Sequence, residues 1–360
     1  MLQLDYTRRY KLNKFIEISK YAGMREDLVQ AGGGNSSVKL DGNKMLIKAS
    51  GFQLADITLE SGYSEIDYKK IVDFFNTNPI DEITEDYEKE LLNNALISGT
   101  RPSIETFLHS ITNTFTLHTH PMLVNVLTCR ENGMEILKEL FPEALFVNYD
   151  TPGIKLAKEY FKTYIENRKK CEKEFDVIFL KNHGLIVSAK SAEEVISKTE
   201  DVLVKIEKYL DVNMKAYRNS TMIYNKMREA FAEDNIVYLS NDYNIKSALN
   251  VIGEKMFKYW FCPDCLVYCG KRPLILEENF NIEDIKEHVK KYGKPVIIYY
   301  DNNIYISAVN IKKAKEIESV LSFSAQILYL NKDFNIDLLD ENEQNFLLNW
   351  DAEKYRQNLK

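Results

Sequence analysis

His118 and His120 are separated by one residue in FTLHTHP, a segment whose β-branched and aromatic content predicts a strand. Alternation along a strand sends both side chains to one face, so the two imidazoles form a bidentate chelate. Such a pair by itself is more often a surface feature or a satisfied part of a core. A third histidine changes that weighing. His183 lies in KNHGLIV, at a turn predicted between two strands, where Gly184 allows tight backbone geometry and the ring can point into a cleft. Three neutral imidazoles with a fourth position open is the arrangement of catalytic zinc, whereas structural zinc prefers four closed ligands.

On local sequence alone Glu105 reads as a capping or solvated helix residue. Beside a metal site the same carboxylate, partly desolvated, would have its pKa raised toward the working range of a general base. His109 follows four residues later on a predicted helix and shares a face with Glu105; it reads as structural, or as a residue orienting a ligand.

The positioning elements can be read around these residues. A helix is expected within residues 5–23, with Asp5 as its cap. In AGGGNSSVKLDGNKMLIKASG, two β-rich runs flank an Asp41-Gly42 turn, so that Gly32–Ser36 and Ser50-Gly51 fall at one end of a hairpin. Helices are expected from about Thr84 to Ile97, and from Pro102 or Ser103 to Ile111 with Pro102 in the first turn. A lysine-rich helical region covers 154–174, and DVIFLKNHGLIVSA makes two strands before a helix, capped by Ser191, that runs to Leu210. Hairpins alternating with helices predict an α/β or α+β sheet domain over residues 1–215. A second, smaller α/β domain is expected over 216–360, with the boundary in the polar stretch between 211 and 250. VIIYYDNNIYISA, at 296–308, aligns without gaps on VIFLKNHGLIVSA, at 177–189, and each precedes an amphipathic helix; this predicts a diverged repeat. Asn302 then stands opposite His183 and no second HxH follows, so the C-terminal copy is expected to be metal-free.

Composition narrows the function classes. The 360 residues carry 47 basic and 54 acidic side chains and no basic cluster with interleaved aromatics, which argues against nucleic acid. The N-terminus lacks the apolar core of a secretory signal, and no apolar run is long enough for a membrane span, so the chain reads as cytosolic and free of membrane. Cys129, Cys171, Cys262, Cys265 and Cys269 are an odd number in a large chain, and reduced thiols are expected. CPDCLVYC lacks a fourth ligand for a metal, and its apolar alternation predicts a strand with buried thiols.

The segments GGGNSSVKL, KASG, RPSIETFLH, TLHTHP and KNHGLIVSA, in this order, resemble the class II aldolase/adducin family over residues 10–212. The resemblance implies a class II aldolase-type sheet flanked by helices, and a divalent cation, zinc, held by His118, His120 and His183, with Glu105 as acid/base. It also implies a lyase that cleaves or forms a C–C bond in a small sugar-derived hydroxyketone, the ion stabilising the enediolate. Asn35, Ser50, Gly51 and Ser103 are then expected to grip a phosphate or other anionic end, although Ile104 stands where many phosphate-handling members have another serine. The IET variant and WFCPDCLVYCG are similar to the longer, rhamnulose-phosphate-aldolase-like members with an extra C-terminal domain. Family members assemble as fourfold tetramers, which implies a homo-oligomer. The tyrosine that a neighbouring subunit supplies in the family cannot be placed; Tyr149 is conspicuous but reads as packing a loop. The same ligand set serves epimerases and decarboxylases. An adducin-like binding protein on this fold would be expected to have lost the ligands that are intact here.

Overall fold

The structure, a computed structural model, describes residues 2–171, 174–231, 235–257 and 260–349, with the side chains of 2–5, 170–171 and 349 excepted. The chain forms two compact units, Met1–Asn213 and Met214–Lys360. It is an α/β protein with an eight-stranded mixed sheet in the first unit and a four-stranded sheet in the second. Among the described residues no helix is long and apolar enough to cross a membrane.

The first unit runs α1 (Leu2–Gly23), β1 (Asn35–Lys39), β2 (Lys44–Lys48), β3 (Tyr63–Asp67), α2 (Tyr68–Thr77), α3 (Asp86–Ala95), β4 (Leu96–Ser98), α4 (Thr106–Ser110), β5 (Phe115–Thr119), α5 (Met122–Thr128), α6 (Gly133–Leu140), β6 (Leu145–Val147), α7 (Ile154–Cys171), β7 (Val177–Leu180), β8 (Gly184–Ala189) and α8 (Ala192–Leu210). The strand order is β4-β3-β2-β1-β5-β8-β7-β6, with every neighbouring pair antiparallel except β6 and β7. β8 is buried at all six positions, as a central strand covered on both faces requires. One face packs Ile47, Ile178 and Ile186 against a layer that includes Phe75, Phe107 and Phe161; the Phe75 and Phe161 rings stack at 4.1 Å.

Three local expectations differ from the structure. Asp5 lies inside α1, which begins at Leu2, so it does not cap it. The hairpin reverses at Gly42 and Asn43, with φ of +72° and +62°, one residue later than Asp41-Gly42; two successive left-handed residues suit the twist of the strands, and Asn tolerates that conformation. Pro102 is not in a helix. It forms an isolated bridge to Ala49, and α4 starts only at Thr106 with Glu105 as its N-cap residue. The bridge, with Ser50 N–H donating to Arg101 O at 2.9 Å and Ser103 N–H to Lys48 O at 3.2 Å, ties the start of α4 to the end of β2.

The second unit runs α9 (Lys215–Phe231), β9 (Ile236–Leu239), α10 (Tyr243–Ile252), α11 (Pro263–Cys269), β10 (Leu274–Ile275), α12 (Ile282–Tyr292), β11 (Ile297–Tyr300), β12 (Asn303–Ala308), α13 (Ile311–Leu330) and α14 (Glu341–Asn349). CPDCLVYC is therefore the helix α11 rather than a strand: Pro263 occupies the first turn, where its missing N–H costs nothing. Cys129, Cys262, Cys265 and Cys269 are free thiols, and the side chain of Cys171 lies outside the described residues.

From β9 to α13 the element order repeats β5 to α8 of the first unit, and β10-β11-β12-β9 has the strand directions of β6-β7-β8-β5. Ala189 faces Phe115 as Ala308 faces Ile236, so Leu239 and Asn241 occupy the places of His118 and His120. The gap-free alignment holds from β8 and β12 onward, where Asn302 keeps the place of His183. It is one residue out before them, because β7 and β8 are joined by three residues and β11 and β12 by only Asp301 and Asn302, both left-handed.

Arg25, 1% exposed, holds the turn after α1: it donates to Asp27 Oδ1 and Oδ2 at 3.0 and 2.7 Å and pairs with Glu200, which also accepts from Tyr21 at 2.6 Å. Removing one partner of such a buried pair leaves an uncompensated charge. Arg25→Ala is expected to cost about 3 kcal/mol of stability, read as a lower urea midpoint by circular dichroism.

Candidate metal centre

The centre forms where β1 begins, β5 ends and β8 begins. Antiparallel register places Asn35, His118 and Ile186 in one row, so their side chains share a face. His120, just past β5, points to that face by alternation, and its N–H donates to Leu28 O at 2.9 Å. His183 enters from the β7–β8 turn, where Asn182 takes φ +52° and His183 N–H donates to Leu180 O at 3.2 Å. Glu105 reaches in from the N-cap of α4.

Two glycines make the approach possible. A Cβ on Gly184 would lie 2.2 Å from Thr119 O and 3.1 Å from His120 Cδ2. Gly33 allows another approach, since a Cβ there would lie 3.0 Å from His120 Nδ1.

One ligand-type atom from each of Glu105, His118, His120 and His183 lies within 4.8 Å of every other, the only such group of three or more among the described residues. His118 is fully buried and its Nδ1 sits 3.0 Å from Leu185 O. A carbonyl only accepts, so Nδ1 carries the hydrogen and Nε2 presents its lone pair to the centre. His120 Nε2 is 3.1 Å from His118 Nε2. Two nitrogens bound to one zinc at the tetrahedral angle would be about 3.3 Å apart, so this spacing fits a shared ion. His183 Nε2 lies 3.0 Å from Glu105 Oε1, with its ring centroid 4.9 and 5.0 Å from those of His118 and His120. The donor set of three imidazoles, with a carboxylate beside it, suits a divalent cation of the zinc type.

The electrostatics are those of ligands ready to bind. Burial, then the His118 and His183 rings, pull the pKa of His120 down to about 3, so its lone pair is free. Burial alone would raise Glu105, but the His118 and His183 imidazoles hold it well below the usual carboxylate range. This reverses the raised pKa expected from the sequence, because the neighbouring rings outweigh desolvation. Asn35 Nδ2 donates to Glu105 Oε2, and Ser103 Oγ accepts from the Glu105 N–H at 3.3 Å. His109, brought to about 3 by burial, then by His118, bonds Ser37 Oγ at 2.8 Å rather than any ligand of the centre.

The four residues expected to grip an anion are thus divided. Asn35 and Ser103 are buried and turned to Glu105, while Ser50 and Gly51 are exposed on the loop leaving β2, Gly51 at φ +87° with open space around it. Tyr149 is 58% exposed. Lys48 was not foreseen: 3% exposed, it donates to Phe52 O at 2.7 Å and Gly32 O at 3.3 Å, tying the glycine loop to the β2 exit. Burial lowers its pKa, against the pull of Glu105. A lysine ending an apolar strand carries no sequence signal that separates it from a surface residue.

Residues 13–207 match the model of the class II aldolase and adducin N-terminal domain, and the chain belongs to that family. Solved structures resemble part of the chain. The N-terminal class II aldolase domain of a conserved protein from Thermoplasma acidophilum is 23% identical, with TM-score 0.48, covering 55% of this chain and 93% of that one. A sugar-phosphate aldolase from Thermotoga maritima is 15% identical, with TM-score 0.42, covering 57% and 95%. An L-fuculose-1-phosphate aldolase from Thermus thermophilus is 16% identical, with TM-score 0.35, covering 62% and 98%. No curated protein sequence matches the chain.

Gly184→Ala tests the close approach. The added methyl must displace Thr119 or His120, so a loss of about 1–3 kcal/mol is expected, with weakened zinc binding against a chromogenic chelator. A variant as stable and as tight as the parent would show that the β5–β8 contact does not set the centre.

Proposed function

We propose that the chain is a zinc-dependent lyase of the aldolase type, making or breaking a C–C bond in a small sugar-derived hydroxyketone. The observation that carries this reading is the convergence of His118, His120, His183 and Glu105 within 4.8 Å, in a chain of this family. A cation held by the three imidazoles would supply Lewis-acid stabilisation to negative charge developing on substrate oxygens.

The protein's own groups do the rest. Glu105, held as a carboxylate, accepts a proton from carbon or returns it. Asn35 fixes Oε2 and leaves Oε1 facing the imidazoles, so the oxygen that exchanges the proton is defined. His118 closes the floor of the centre, while His120 and His183 are partly exposed and form the side from which substrate enters. Exposed Ser50 and Gly51 offer amide and hydroxyl groups to an anionic end of the substrate. The reading includes a homo-oligomer, which light scattering would check.

Purified protein is expected to carry about one zinc per chain by elemental analysis, lost in His183→Ala. Glu105→Gln is expected to keep the metal and lose 10²- to 10⁴-fold in turnover, roughly the range for a proton-transfer residue. Incubation with ketose phosphates, aldonate phosphates and unphosphorylated hydroxyketones, followed by mass spectrometry, identifies the reaction. Two carbonyl fragments mean cleavage, an isomer of equal mass means epimerisation, and loss of carbon dioxide means decarboxylation. Full turnover in Glu105→Gln, or no metal in the parent protein, would overturn the assignment.

A further inference from the structure

The second unit holds thiol chemistry that the metal centre does not use. Cys262 is the N-cap residue of α11, Cys265 its third residue and Cys269 its last. The Cys262 and Cys265 Sγ atoms lie 2.9 Å apart as free thiols. A disulfide bond is about 2.05 Å long, so closure asks for a movement of under about 1 Å.

The surroundings give the two sulfurs different roles. Cys262 is partly exposed, next to exposed Pro263 and Asp264, whereas Cys265 and Cys269 are fully buried. An incoming reagent therefore meets Cys262 first. Burial, then Cys262, pushes the Cys265 thiol up to about 12, so at neutral pH it waits as a protonated partner. The backbone on either side is anchored: buried Trp260 donates from Nε1 to Lys271 O at 3.3 Å and accepts at its carbonyl from Leu339 N–H at 3.1 Å. The pair is held together while one member stays accessible, which favours ring closure over capture of a second reagent molecule. These cysteines belong to no group of three or more metal ligands among the described residues.

We propose that Cys262 and Cys265 are a reversible redox site that closes to an intrachain disulfide on reaction with a small-molecule disulfide. Cys262, as thiolate, attacks one sulfur of the reagent, forming a mixed disulfide and releasing one thiol. Cys265 then gives its proton to solvent and attacks Cys262 Sγ, releasing the second thiol. The protein loses two electrons and two protons, and one disulfide becomes two thiols.

The folded full-length chain is equilibrated in glutathione buffers of increasing oxidised fraction, quenched with a thiol-blocking reagent, digested and mapped by mass spectrometry. The expected product is a 262–265 peptide lighter by two hydrogens and unblocked, restored by excess reduced glutathione. Cys265→Ser is expected to accumulate a glutathione adduct on Cys262, Cys262→Ser to form no bridge, and Cys269→Ser to close as the parent does. The proposal fails if the parent stops at the Cys262 adduct, if Cys269 replaces Cys265 in the bridge, or if Cys262 stays unreacted while exposed Cys129 is modified.

Discussion

Three imidazoles and a carboxylate share a few ångströms at one end of the sheet, and the register of β1 on β5 on β8 is the constraint that brings them there. A slip of one residue would turn His118 to the opposite face and replace it with Leu117 or Thr119. Burying His118 at 0% exposure and Glu105 at 8% would each be costly if either stood alone. Each instead has a partner of its own: the Leu185 carbonyl accepts from His118 Nδ1 and the Asn35 amide donates to Glu105 Oε2, holding each in one orientation. The same crowding keeps His120 neutral, as a metal ligand must be, and Glu105 ionised, as a proton acceptor must be.

This row of residues is secured from behind as well as from within the sheet. The cluster of buried Arg25 and Asp27 with partly exposed Glu200 fixes the turn after α1, and the carbonyls of that turn accept from the backbone of His120 and Met122, both at 2.9 Å. On the other side Lys48 spans two carbonyls of the loops that flank the centre, and the Ala49–Pro102 bridge fixes where α4 can begin. The ligands are thus placed in part by charged groups packed around the centre.

The second unit shows that the topology does not need the ligands. It repeats the order and strand directions of the half that carries all three histidines, with Leu239, Asn241 and Asn302 in their places. Leu239 is 4% exposed, so an apolar side chain fills the row as well as an imidazole does. Its hairpin is one residue shorter and turns through two left-handed residues, leaving no position equivalent to Lys181 to reshape the approach. A fold of this kind is held by its apolar rows, and among the described residues only one copy carries the centre.

The sequence by itself determined the strands that carry the centre, the three histidines and the glycines that let them meet, because alternation, turn residues and apolar runs are local properties. The repeat was visible for the same reason, as a periodic pattern of apolar positions. What only the tertiary structure decided lies in contacts between distant segments. Pro102 enters a bridge instead of a helix because the chain leaving β2 pairs with it at Ala49, and α11 is helical although its cysteines alternate with apolar residues. Asn35 and Ser103 turn to Glu105, Lys48 is buried, and Glu105 is held ionised where isolation would have raised its pKa. Each depends on which groups lie across the gap, and that distance is set by the packed sheet rather than by any neighbouring residue in the chain.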